Sequence, residues 1–461
     1  MTKIIEVDRP RRTVTKDENF VRVTPAAKGL KFLAWAGVVV VLALLTWARL
    51  PAMARKTVWA EDGGVFLRDV LSHGQLRSIA LPYDGYLHVL PRTLASVAHV
   101  LAPLQGYALA MSLMSCFVVS LVSVAVFHLS RSVSASVPVR CMIAVIPVLL
   151  PIGPEEVLGN AANLHWFLLW LMPWLLLYKP KSPVARGTMF VVAFVSAASE
   201  IITGMFLPLA LWTMFRRRSF AAPAGLLLGI GVQLLTTFNN PRFAGAPLKY
   251  FPDGWSVFMG FGLLPIGSIW HPDSRTMSSN IVSFGAWSLL VPALLVLGLL
   301  VYTVVTGRPE LKIAAIGTFI AAWICWIASV MLSGNIMFNY ANFTEADWTK
   351  GGIFGYMRYA AAPAMFLLLL LPLAVAAALE RRRLSRPSSA LVAWFFLAFL
   401  MVSYFPATTF RQDGPDWSAG VNSARAACQS DQALSSSPVL VAPAGWKFAQ
   451  VQIPCQELRG R

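Results

Sequence analysis

Apolar and polar positions fall along this chain in long blocks, not in the short alternation of a soluble fold. Blocks rich in Leu, Val, Ala and Phe run over about 32–50, 107–130, 139–153, 163–178, 187–199, 203–215, 221–238, 283–304, 312–332, 359–379 and 388–405. A helix needs roughly 17–25 apolar residues to cross a hydrocarbon core about 30 Å thick. The pattern predicts an all-α polytopic membrane protein with about eleven transmembrane helices. The chain divides into a leader (1–31), a transmembrane domain (32–405) whose first outer loop is 51–106, and a C-terminal tail (406–461).

Two segments depart from the simple block pattern. Over 86–104, His88, Arg92, Ser96 and His99 recur at helical spacing on an otherwise apolar stretch, which predicts an amphipathic helix lying at the membrane interface. The region 187–215 has basic residues at both ends, so it should cross an even number of times. Two helices of about 13 residues rise only about 20 Å each. The turn between them, AASEIITG at 197–204, should therefore be recessed, lining a protein or water-filled hollow. In the first outer loop, Asp62 is placed to cap a helix over 63–73 that Gly74 stops, with Phe66/Val70 and Leu67/Leu71 paired and Arg68 and Asp69 facing away. The tail carries a helical stretch near 417–428 and two strand-like runs, VLVAP and FAQVQI.

Charge changes this picture by giving it a direction. The net charge of +17 could suggest nucleic acid, but the basic residues collect in alternate connections: the leader up to Lys31, Arg131 and Arg140, Lys179 to Arg186, Arg216 to Arg218, Arg308 and Lys312, and Arg381 to Arg386. That side holds 22 of the 38 Lys and Arg but only 6 of the 21 Asp and Glu. By the positive-inside rule it is cytoplasmic; the basicity orients the chain in a plasma membrane and implies no nucleic-acid partner. The N-terminus is then cytoplasmic, the C-terminus extracytoplasmic, and the first apolar run an uncleaved helix, not a signal peptide. With the tail outside, Cys428 and Cys455 are expected to form a disulfide, whereas Cys116, Cys141 and Cys325 lie in apolar segments as packing residues.

The acidic and polar candidates gather on the outer face. They are Glu61 and Asp62 in TVWAEDGGVFLRDVL, then Glu155, Glu156, Asn163 and His165 in the loop before a helix, recessed Glu200, and Arg358 at the entry to another helix. Carboxylates and an arginine around a hollow suit glycosyl transfer: a carboxylate removes the proton of an acceptor hydroxyl, and a cation holds a departing phosphate. Each residue also has a plainer explanation. Asp62 could be only a cap, Glu155 and Glu156 solvated loop charges, Arg358 a headgroup anchor, and His165 a helix-end histidine. Trp255, Trp270 and Trp348 could stack on sugars or anchor the interface, and Arg242, Lys249, His271 and Arg275 could contact phosphate or acceptor. No metal motif is present, although the acidic pair could hold a divalent cation. There is no P-loop or Rossmann fingerprint, which argues against a nucleotide-sugar donor.

The stretches WAEDG…F (59–66), PYDGYLHVLPR (82–92), NLHW (163–166) and MRYAAAP (357–363), on this loop-and-helix plan, resemble the GT-C glycosyltransferases, with the actinobacterial arabinosyl- and mannosyltransferases as functional cousins. The resemblance covers about 30–405. It implies a GT-C fold, a polyprenyl-phosphate sugar donor, a cell-envelope glycan or glycolipid acceptor, and a general base among Glu61 and Asp62, with Arg358 on the donor phosphate. The chain lacks the large soluble C-terminal domain of better-known members. A transporter or flippase of lipid-linked saccharides is the alternative, and it should show internal repeats, which the sequence lacks. An acyltransferase with His165 or His88 as base is the third.

Overall fold

A computed structural model describes residues 25–240, 251–271, 273–285, 287–349, 357–406, 408–446 and 448–460. Most of the leader, Arg242 and Lys249 lie outside these residues. The chain divides into two units, Met1–Val38 and Val39–Arg461. The described part of the first unit is the opening of a helix, Pro25–Ala48; everything below concerns the second.

Helix accounts for 76% of the described residues, and each of the eleven apolar blocks is helical where described. Among the described residues, six helices are long and apolar enough to cross a membrane: Gly29–Ala48, Leu104–Ser132, Ala221–Asn239, Trp287–Thr306, Pro309–Ser333 and Met357–Glu380. The helices Val137–Leu149, Leu164–Leu177, Pro183–Ala197, Leu207–Arg217 and Arg386–Val402 are shorter. Apolar side chains remain exposed in stripes: Ile313, Ile316, Ile320, Ile324 and Ile327 on one helix, and Val291, Leu294, Val301 and Val305 on another. Water would not tolerate so much apolar surface, whereas lipid is a good solvent for it. The protein is a helical membrane protein. Met357–Glu380 is its central helix, 83% buried along its most apolar window against 28% for Trp287–Thr306.

The basic connections meet at one end of the bundle. Arg140 donates to Phe127 O (2.9 and 2.8 Å), Arg217 to Leu177 O (2.9 Å), Arg308 to Val133 O (3.1 Å) and Arg381 to Thr306 O (2.8 Å). Most of these acceptors lie in the last turn of a helix, where carbonyls lack partners and the helix dipole is negative. The acidic connections occupy the other end.

There the first outer loop folds into short helices and a hairpin. Tyr83 and Tyr86 exchange backbone hydrogen bonds (2.8 and 3.1 Å) around Asp84–Gly85, both at positive φ, as a two-residue turn with Asp-Gly requires. The helix Val89–Leu101 forms where predicted, but its polar stripe points into the protein. Arg92 is buried and pairs with Asp69 (2.9 Å), also donating to Ser78 O (3.1 Å). Asp69, expected to face away, is therefore the buried centre of this loop, and half-exposed Arg68 binds its other oxygen (2.8 Å). An unpaired arginine among apolar neighbours would be costly, so the stripe turns toward its carboxylate.

Two close helix approaches set the recessed turn. A Cβ on Gly225 would fall 2.3 Å from Phe190 O, and one on Gly229 2.5 Å from Ala197 Cβ, so Ala221–Asn239 and Pro183–Ala197 pack backbone to backbone through a small-xxx-small face. Gln233, on the same helix, then bridges two segments of the chain. Its amide accepts from Leu87 N (2.8 Å) and donates to Leu87 O (3.0 Å) and Ala197 O (3.2 Å). The tail forms a helix, Trp417–Ser430, and an antiparallel pair, β1 (Ser436–Leu440) and β2 (Gln450–Pro454), joined to it by the Cys428–Cys455 disulfide. It packs on the first outer loop: Trp417 donates to Leu104 O (2.7 Å), and Ala442 N to Val58 O (2.8 Å).

Candidate functional site

The acidic pair opens a continuous helical stretch, Asp62–Leu67 as a widened π-turn and Arg68–His73 as α-helix, ended by Gly74. The glycines behind the pair have a packing reason. A Cβ on Gly63 would meet Val441 Cγ1 at 2.6 Å, and one on Gly64 would meet Phe448 O at 2.6 Å. Only glycine lets the tail's backbone come this close.

Asp62 does not cap this helix. Its carboxylate leaves the first loop and accepts from Ala161 N (Oδ2, 2.8 Å) and Ala162 N (Oδ1, 2.9 Å). It is buried, and it does not line the cavity described below. Burial pushes its carboxyl up to about 7, against the pull of the two amide donors. Two amides converging on one carboxylate satisfy a loop that has no regular partner, which won over the local cap. Glu61 goes the other way. It lines the cavity, Tyr83 Oη donates to its Oε1 (3.5 Å), and its Oε2 reaches no hydrogen-bond donor among the described residues. The neighbouring acids therefore share no ligand set for a divalent cation, and among the described residues no three His, Cys, Asp or Glu side chains group as metal ligands.

The cavity has a volume of about 640 Å³. Beside Glu61 it is lined by Tyr83, His88, Asn163, His165, Glu200 and Arg358, drawn from four connections far apart in sequence. Glu200, in the recessed turn, accepts from Ile202 N (2.8 Å) and holds His165 Nδ1 with its other oxygen. The imidazole lies on Trp166 (ring centroids 4.2 Å apart) and edge-on to His88 (5.8 Å). A carboxylate on Nδ1 fixes the tautomer that carries its proton there. The recessed turn does line a hollow, as its length demanded.

Glu155 and Glu156 are not solvated: both are buried within the π-turn Gly153–Val157. Glu156 sits behind the cavity wall and pairs with Arg358, taking its guanidinium on Oε1 and its backbone N on Oε2 (2.9 Å). Asn163 donates to Glu156 O (3.2 Å) and Asn160 Oδ1 (2.9 Å), bracing this loop. Glu155 points elsewhere, accepting from Ser274 Oγ (2.9 Å) and Thr408 Oγ1 (3.3 Å) beside a separate cavity. Of the sequence candidates, Glu61, Asn163, His165, Glu200 and Arg358 come together; Asp62, Glu155 and Glu156 do not line this cavity. Trp255, Trp270, Trp348 and His271 line neither cavity, and Arg275 lines the second.

Four positioning residues escaped the sequence reading. Arg49 is buried and donates to Val148 O (2.6 Å), Leu150 O (3.0 Å) and Ser403 O (3.2 Å). Arg411 holds Gly159 O (3.0 Å) and Leu158 O, its guanidinium lowered to about 10 by burial. Together they pin both ends of the Glu155–Glu156 loop. Gln233 and Tyr83 place the first loop. The signal was present for Gln233, a lone amide in an apolar helix, and for Tyr83, beside a turn dipeptide.

The fold and site define a helical membrane protein with a polar cavity at the acidic end of its bundle. No family model, curated protein or solved structure matches this chain.

Proposed function

We propose that the protein is a membrane glycosyltransferase of GT-C type. It moves a sugar from a polyprenyl-phosphate donor to a cell-envelope glycan or glycolipid outside the cytoplasm, within a bundle of about eleven crossings. The observation that carries this reading is the presence, around one cavity, of a carboxylate whose Oε2 reaches no donor among the described residues, Glu61, and of an arginine, Arg358. Glu61 takes the proton of the acceptor hydroxyl as that oxygen bonds to the anomeric carbon. The bond from that carbon to the phosphate oxygen breaks with its electron pair, and polyprenyl phosphate leaves toward Arg358. Attack opposite the leaving group inverts the anomeric centre. Asp62, its oxygens held by amides, braces the loop and is not the base.

Purified protein supplied with polyprenyl-phosphate mannose, arabinose or glucose and envelope glycans should transfer sugar. Glu61→Gln should slow transfer about 10²–10⁴-fold, the usual contribution of a general base. Transfer by Glu61→Gln at the wild-type rate would falsify the base assignment. Translocation of the lipid-linked sugar without transfer would identify a transporter instead.

Acyl transfer is the second reading, favoured by the His165–Glu200 pair, an imidazole oriented by a carboxylate at the cavity wall. It predicts turnover of acyl donors, abolished by His165→Gln, and no use of polyprenyl-phosphate sugars.

A further inference from the structure

A second cavity, of about 860 Å³, lies beside the first and has a different lining. Its polar floor is Glu155, bound by Ser274 and Thr408 hydroxyls. Phe410 and Trp446, with ring centroids 6.3 Å apart, supply aromatic walls. Arg275, Gln412 and Asp413 stand exposed at its rim; among the described residues neither Arg275 nor Asp413 forms an ion pair.

Trp446 is the partition between the two cavities. Its ring lies 5.3 Å from Trp59 and 5.2 Å from the Arg358 guanidinium, both of which line the first cavity. The consecutive residues Glu155 and Glu156 mark the same boundary, one flooring the second cavity and the other holding Arg358. A chain-like ligand seated in the second cavity would have its end close to the first.

The lining selects the ligand's chemistry. One cation and one anion at the rim cancel, and burial raises Glu155 to about 8, so its floor is uncharged at neutral pH. Such a surface gives no net attraction to phosphate, nucleotide or acidic peptide. The exposed rim is too polar for a lipid tail. Aromatic faces flanked by carboxyl, amide and hydroxyl groups suit the apolar faces and hydroxyl edges of a sugar. We propose that this cleft binds a neutral oligosaccharide, the acceptor glycan of the transfer reaction, an assignment that rests on the function proposed above.

The test uses the purified full chain in detergent on an array of envelope oligosaccharides (mannans, arabinans, galactans and glucans), with inorganic phosphate as control. The wild type should bind at least one neutral glycan and not phosphate. The double variant Gln412→Ala/Asp413→Ala, altered only at exposed positions, should bind that glycan about tenfold or more weakly, the loss of about one good hydrogen bond. Arg308→Ala, at the basic end and lining neither cavity, should bind it as the wild type does. Absence of glycan binding, or equal binding by the double variant, overturns the proposal. So does an acceptor KM that the double variant leaves unchanged while transfer proceeds, an outcome that spares the transferase reading. Glycan binding that depends on the rim, with no transfer from any donor, keeps the saccharide cleft and removes the transferase reading.

Discussion

The two ends of the bundle use charged residues in opposite ways. At the basic end, arginines lie half in solvent and bind carbonyls at helix ends: Arg308 keeps 47% of its side chain exposed while binding Val133 O and facing Glu310 and Glu380 at 3.6 and 3.4 Å. At the cavity end, Arg49, Arg92 and Arg411 are buried, as are Asp62, Glu156 and Glu200. A charge in water costs little to keep and contributes little to the fold. A charge taken out of water must find its partner, so it fixes whatever that partner belongs to. The basic end therefore contributes little to holding the fold, and the cavity end builds it. What a residue does at the first can be exchanged among Lys and Arg; what it does at the second depends on one specific neighbour.

The contrast is broken most severely at Glu156. Glu156→Gln leaves Arg358 in the wall without its anion, and the protein should lose about 3–5 kcal/mol of stability, the cost of breaking a buried pair. A thermal melt of the detergent-solubilised variant measures it, and a melting point equal to wild type would place the pair with the surface bridges. The Glu61–Asp62 step comes next. Asp62→Asn turns an amide toward the Ala161 and Ala162 N–H groups and should cost about 1–3 kcal/mol. Its effect should also depend on pH. Burial raises the folded carboxyl to about 7, above the 3.8 of a free aspartate side chain, so the folded state holds the proton longer. Wild-type stability should fall as pH rises between these values and level off above them, and Asp62→Asn should lack that part of the slope. Glu61→Gln should melt with the wild type, since Glu61 Oε2 has no donor to lose among the described residues. The smallest effect belongs to the other end: Arg308→Ala should change stability by about 0.5 kcal/mol or less, and a larger drop in the melt would show that the basic end is also structural.

Much of the fold was legible along the chain. The eleven apolar blocks became helices because their length and composition allow little else in hydrocarbon. That the turn at Glu200 lines a hollow followed from the shortness of the two apolar blocks beside it. The tail's strands and disulfide followed from local alternation and from two cysteines in a polar segment. The polar stripe of Val89–Leu101 was located correctly but turned the wrong way, because helical spacing marks a face without naming what covers it. For Arg92 the cover is Asp69, 23 residues earlier.

The acidic pairs mark the limit. Consecutive residues on a helical turn point about 100° apart, so Glu61 and Asp62, like Glu155 and Glu156, cannot share a direction, and nothing local says which of each pair meets the cavity. The sequence by itself determined a membrane protein with a basic end and an acidic end, because lipid and the positive-inside bias act on composition and block length alone. Only the tertiary structure decided that Glu61 lines the cavity while Asp62 clamps a loop about 100 residues away. That choice depends on where the amides of Ala161 and Ala162 come to lie, and distant backbone donors leave no mark on the local pattern.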